Sequence, residues 1–89
     1  MQAKVIHDPA AHKFYMPFPE GEAVLNYRQV DEQTLDYYST YVPPALRGKK
    51  IAEQLVKAAF DYAREHRYRI IPGCSYVKLY MDRHPGLLD

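Results

Sequence analysis

Three cations crowd one glycine in Leu46-Arg47-Gly48-Lys49-Lys50-Ile51-Ala52, at the point where an amphipathic run begins. The first amides of a helix lack intrahelical partners and carry positive partial charge, so added cations are unfavourable there until an anion arrives. Exposed amides, a glycine that permits close approach and flanking cations together describe a phosphate site. A solvated basic face without a ligand would use the same residues. The second candidate is Cys74, which follows a short β-prone stretch and opens a helical one. A helix N-terminus lowers a thiol pKa and favours the nucleophilic thiolate, whereas the ordinary role of a lone cysteine is a small buried hydrophobe. Tyr80 lies six residues further on and offers a phenolic proton. Among nine tyrosines, a core or rim ring is its competing role.

Other chemistries are excluded by what the chain lacks. With 89 residues the chain has one domain's worth of length, so residues 1–89 are expected to form a single domain. Lys and Arg total 12 against 11 Asp and Glu, a net charge of +1. That balance argues against non-specific nucleic-acid binding and against a disordered charged tail. One cysteine rules out an intramolecular disulfide framework and a cysteine-based zinc cluster. His7, His12, His66 and His84 are widely spaced and form no metal-ligand pair, so no metal site is expected. No targeting signal stands at the N-terminus, and no apolar run nears the roughly 20 residues of a membrane span. A soluble cytoplasmic protein is the expectation.

The elements that must position these residues divide at Pro43-Pro44. Before it lie β-prone stretches at Ala3–His7, Lys13–Phe18, Ala23–Arg28 and Thr34–Val42, separated by short turns. An antiparallel meander joins them most simply. Tyr27, Tyr37, Tyr38 and Tyr41 suit half-wet sheet faces. From Gly48 to about His66 the period becomes 3.6. Ile51, Ala52, Leu55, Val56, Ala59, Phe60 and Ala63 then share one stripe. Arg64, His66 and Arg67 suit the negative end of that helix. A short strand, Tyr68–Ile71, follows and stops at Pro72-Gly73; a helical crossover places it parallel to Thr34–Val42. Ser75 to about His84 reads as a second helix, with Val77, Leu79 or Tyr80, and Met81 inward. The fold class is α+β: a mostly antiparallel sheet, one long helix crossing to a parallel C-terminal strand, and a short final helix.

The run Val42-Pro43-Pro44-Ala45-Leu46-Arg47-Gly48-Lys49-Lys50-Ile51-Ala52, between strand and helix, resembles the acetyl-CoA motif of the GNAT N-acetyltransferase superfamily. The family pattern is Q/R-x-x-G-x-G/A; Arg47 and Ala52 match its ends, and Lys50 replaces a glycine. Ile71-Pro72-Gly73-Cys74-Ser75-Tyr76-Val77, with Tyr80 and His84-Pro85, resembles a subgroup of very small members. The resemblance implies a minimal GNAT-like fold with a reduced acceptor wall. It also implies an acetyl-CoA-dependent N-acetyltransferase acting on an amine, as a monomer or weak dimer. It assigns the pyrophosphate to Arg47, Gly48, Lys49, Lys50, Ile51 and Ala52. The pantetheine arm goes to the strand edge at Thr40, Tyr41 and Val42, facing Tyr68–Ile71 across a gap. Cys74 is placed near the acetyl end, as nucleophile or pocket wall. Tyr80 becomes the donor that protonates the departing thiolate. The alternative from another class is a non-catalytic module that binds or senses acyl-CoA, and a third is a basic-patch interaction protein.

Overall fold

Alternation in Phe14-Tyr15-Met16 and Ala23-Val24-Leu25-Asn26-Tyr27 puts every second side chain on one sheet face, and those are the buried ones. The computed structural model describes residues 4–87. Its strands are β1 (Ile6–Asp8), β2 (Lys13–Phe18), β3 (Gly21–Asp31), β4 (Thr34–Tyr41) and β5 (Arg69–Ile71). Its helices are α1 (Ile51–Glu65) and α2 (Ser75–Arg83), with a short 3-10 turn at Pro44–Leu46. The five strands form one sheet in the order β1-β2-β3-β4-β5. All neighbours are antiparallel except β4 and β5, which run parallel, as the α1 crossover requires. The α+β class and the parallel last strand are as the sequence predicts.

Both helices pack into one core. Leu55, Val56, Ala59, Phe60 and Ala63 of α1 are fully buried against Phe14, Met16, Leu25, Leu35 and Tyr37 of the sheet. Ala52, at the edge of the same stripe, is half-buried. From α2, Val77 and Tyr80 are buried, Met81 is half-buried and Leu79 is exposed, which settles the inward face of this helix.

Four expectations need correction. The first strand is Ile6–Asp8; Val5 precedes it without pairing, and Ala3 lies outside the described residues. β3 runs through to Asp31, because Asp31 pairs with Thr34 at a tight turn. The long helix starts at Ile51, since Gly48 (φ 83°) and Lys50 (φ 61°) are left-handed and cannot belong to a right-handed helix. Tyr27 and Tyr37 are core residues, 5% and 0% exposed. They can be, because each hydroxyl has a partner: Tyr37 donates to Ala59 O at 2.6 Å, and Tyr27 meets His7 Nε2 at 2.6 Å. Tyr38 and Tyr41 remain exposed, as the sequence predicts.

The β3–β4 ladder is irregular at two points, between Gln29 and Asp31 near the turn and between Asn26 and Tyr27 in mid-strand. Asn26 pairs with Ser39, but Tyr27 pairs with Tyr37, so Tyr38 is an extra residue in β4. Such a bulge bends its strand and strengthens the local twist. Gly73 lies against this point: a Cβ there would collide with Asp36 Oδ1 and sit 3.1 Å from Tyr38 Cα. Gly73→Ala is therefore expected to cost about 1–3 kcal/mol through overpacking. Urea denaturation reads the change, and an unaltered midpoint would contradict the close approach.

Candidate functional site

β4 and β5 part almost as soon as they pair. Their register covers only Thr34↔Arg69, Leu35↔Ile70 and Asp36↔Ile71. One further tie follows, the Cys74 N–H donating to Tyr37 O at 3.1 Å. Beyond it, Tyr38–Tyr41 has no strand partner on that side among the described residues. The bulge at Tyr38 bends β4 one way, and Pro72-Gly73 ends β5, so the strands diverge. Thr40, Tyr41 and the following Val42 thus lie along a partly free backbone edge.

The loop from that edge to α1 is held by its own backbone and by Arg47. Arg47 Nε donates to Val42 O at 3.0 Å, and the Arg47 N–H donates to Pro44 O at 3.3 Å. Lys50 is the residue before α1, and no side chain caps the helix start. The first amides of α1 are therefore left for solvent or an anion. A Cβ built on Gly48 would meet nothing within 4 Å, so this turn opens outward. Val42, Gly48, Lys50, Ile51 and Ala52 border a hollow there, closed on its far side by Glu53 and Tyr76. Glu53 and Tyr76 also border a second hollow, with Leu79, Tyr80, Arg83 and His84. The two hollows adjoin at Glu53 and Tyr76, between the start of α1 and α2, and are taken together as the candidate groove. Uncapped amides and Lys50 lie at one end, Tyr76, Leu79 and Tyr80 with Arg83 and His84 at the other, and Glu53 between them, which suits an extended ligand whose anionic part lies at the start of α1.

Lys50 carries a conformational cost. A left-handed non-glycine residue is less favourable than glycine by about 1–2 kcal/mol, partly offset because glycine loses more freedom on folding. Lys50→Gly is expected to raise unfolding free energy by up to about 1 kcal/mol. A lowered denaturation midpoint would instead show that the lysine side chain stabilises the turn.

Cys74 is the N-cap residue of α2, in extended conformation (φ −107°, ψ 137°). Its thiol donates to Thr40 Oγ1 at 3.6 Å, which ties it to the free edge of β4. Burial pushes the Cys74 thiol up. Hydrogen bonds to sulfur from the Val77 N–H, the Thr40 hydroxyl and the Tyr76 and Thr40 N–H groups pull it down and win, leaving it below the ordinary thiol value. The Thr40 hydroxyl can serve both forms by rotating, accepting from the thiol or donating to the thiolate.

Tyr80 stacks on Phe60 at 5.8 Å and on His84 at 4.1 Å. Burial raises its phenol; Lys57 opposes the rise and the Asp61 and Glu53 carboxylates add to it. Tyr80 therefore keeps its proton at neutral pH.

The predicted residues thus fall into groups. Gly48, Lys50, Ile51 and Ala52 line the groove with Val42, and Tyr80 lines its other end. Thr40 and Cys74 meet at the strand split. Arg47 does not line the groove; its guanidinium braces the loop. Lys49 and Tyr41 are exposed beside it. Cys74 borders neither of these two hollows, whereas Tyr80 borders one, as a spacing of six turns them to different sides of α2. Glu53, Tyr76, Leu79 and Arg83 join the site only through the fold. A sequence signal for them exists: residues 76, 79, 80 and 83 repeat at i, i+3, i+4, i+7, and Glu53 follows Lys50 by three. Among the described residues no His, Cys, Asp and Glu cluster could hold a metal, and no helix is long and apolar enough to cross a membrane.

Comparison with known proteins is consistent along almost the whole chain. The curated Protein NATD1 of Gallus gallus is 38% identical over 84 residues, covering 92% of this chain and 76% of that protein. Protein NATD1 of Homo sapiens is 33% identical over 84 residues, covering 92% and 74%. A GCN5-like putative N-acetyltransferase from Staphylococcus aureus, solved by NMR in solution, superposes with a TM-score of 0.77 at 27% identity, covering 98% of this chain and 85% of that one. Residues 13–89 match the family described as GCN5-related N-acetyl-transferase. A mixed sheet splitting beside an uncapped helix start, together with that match, makes this chain a member of the GCN5-related N-acetyltransferase family.

Proposed function

We propose that the chain is an acetyl-CoA-dependent N-acetyltransferase with an amine as acceptor. The observation that carries this reading is that an uncapped helix start, an open glycine turn and Val42, the residue that follows the partly free edge of β4, border one hollow. Acetyl-CoA supplies the acyl group as an activated thioester. On the protein side, the amides of Ile51 and Ala52 and the Lys50 ammonium would hold the pyrophosphate. Gly48 lets the loop come close, Lys49 adds a cation at the rim, and Arg47 keeps the loop in place. The backbone at Thr40, Tyr41 and Val42 offers hydrogen bonds to an amide-rich arm, as strand edges do.

Cys74 and Tyr80 carry the chemistry in this reading. The lowered thiol and its contact with Thr40 keep a nucleophile, or a polar wall, at the strand split. The raised Tyr80 phenol retains a proton to donate to a leaving thiolate. A cytoplasmic location and a monomer or weak dimer complete the proposal. The rival is a binding module without turnover, favoured by Lys50 standing where the family pattern has glycine.

Turnover decides between them. Incubation with acetyl-CoA alone, followed by intact mass, should show one added acetyl group if Cys74 is the nucleophile. Cys74→Ser should lose that gain and the turnover while keeping CoA affinity. If the amine attacks directly, Cys74→Ser should stay active and Tyr80→Phe should be the more damaging change. No CoA release with any of a panel of primary amines, despite tight CoA binding, would leave the binding module standing.

A further inference from the structure

α1 ends in a turn that glycine would make more cheaply. The Tyr68 N–H donates to Ala63 O at 2.8 Å and the Arg67 N–H to Arg64 O at 3.3 Å, closing the helix with Arg67 left-handed (φ 60°). That position usually carries glycine or asparagine. Arg67 also borders a hollow lined by Arg64, Tyr68 and Arg69 and by the buried Ala63 and Ile70. Arg64 is bound to Asp61 Oδ1 at 2.9 Å. Arg67 and Arg69 make no ion pair within 4.0 Å among the described residues. Tyr68 is set by stacking on Tyr62 at 5.8 Å.

Cations at a helix C-terminus complement its dipole, and that explains Arg64 and Arg67 in part. It does not explain an arginine in a left-handed position, or Arg69 of β5 bordering the same hollow. Guanidinium groups present paired donors that match phosphate oxygens. Arg69 also faces Asp31 and Glu32 at the β3–β4 turn, so Arg67 is the freer of the two.

We propose that this hollow binds a small ligand carrying a phosphate-class oxyanion, with Arg67 and Arg69 on the oxyanion and Tyr68 against the ligand body. It lies at the opposite end of a 15-residue helix from the groove, about 20 Å away, and does not depend on the function proposed for that groove.

The test is a titration of the full chain with inorganic phosphate and with phenyl phosphate, with excess CoA present, followed by amide and arginine Nε–Hε NMR signals. Saturable shifts at Arg67, Tyr68 and Arg69 are expected, with phenyl phosphate the tighter probe. Arg67→Gly should weaken phenyl phosphate at least tenfold while raising the melting temperature, since glycine relieves the turn. That variant keeps a folding failure from masking the result. Non-saturating shifts, shifts confined to residues 50–53, or equal affinity in Arg67→Gly would each overturn the proposal. The CoA signals in the same spectra report separately on the groove.

Discussion

Phe60→Ala is expected to cost about 3–5 kcal/mol of stability, the range for deleting a buried phenyl ring. Phe60 is fully buried. It meets Tyr37 edge-on at 5.6 Å and Tyr80 face-on at 5.8 Å. It is thus the ring through which α1 holds both β4 and α2. A domain of this length has a total stability on the order of 4–13 kcal/mol. The loss would consume a large part of it and lower the melting temperature by more than about 10 °C. The effect should extend to the groove. Without Phe60, Tyr80 loses one of its two stacking partners, and His84, the other, which also bonds Tyr80 O at 2.9 Å, moves with it. Phe60→Leu should recover most of the loss, because a volume-conserving change leaves less cavity. Chemical denaturation of the three proteins measures this. A cost below about 1 kcal/mol for Phe60→Ala would show that α2 is held elsewhere.

Arg47→Glu should weaken CoA by tenfold or more, equivalent to about 1.4 kcal/mol. Two effects add. The cation near the uncapped amides becomes an anion, which repels phosphate. The bond from Arg47 Nε to Val42 O is also lost, and a carboxylate cannot donate in its place. The loop from the strand edge to α1 then loses its brace. Stability should change by less than about 1 kcal/mol, because Arg47 is exposed. Arg47→Gln separates the two effects. Its amide can still donate to a carbonyl, so affinity should fall less than in Arg47→Glu. Equal affinity in wild type and Arg47→Glu would mean that Arg47 neither contacts nor positions the phosphate end.

The parts of the fold that are legible in the sequence are those with a local cause. The stripe from Ile51 to Ala63 repeats every 3.6 residues, and the helix forms there. A crossover helix between two strands forces them parallel, and β4 and β5 are parallel. Cys74 between a strand and a helix is likewise a local reading, and it is the N-cap residue of α2. The departures come from distant partners or from a backbone conformation that the residue type does not announce. Tyr27 and Tyr37 are buried because their hydroxyls find hydrogen-bond partners far off in the chain, the His7 ring nitrogen and the Ala59 carbonyl. The helix starts at Ile51 because Lys50 takes a left-handed conformation that its residue type disfavours. The groove needs Glu53 and Tyr76, on helices more than 20 residues apart, to be packed side by side. Arg47 reads as a phosphate contact from its charge, yet its visible role is a bond to a backbone carbonyl.

The most direct test of the proposed function is a titration of the full chain with CoA, followed by amide NMR and by the melting temperature. CoA should shift the amides of Gly48, Lys50, Ile51 and Ala52 and the β4 edge at Thr40 and Tyr41, saturably and together. At 100 times its Kd it should add about 2.7 kcal/mol of stability. No melting shift and no saturating signal at millimolar CoA would contradict the account and leave a basic face without a nucleotide ligand.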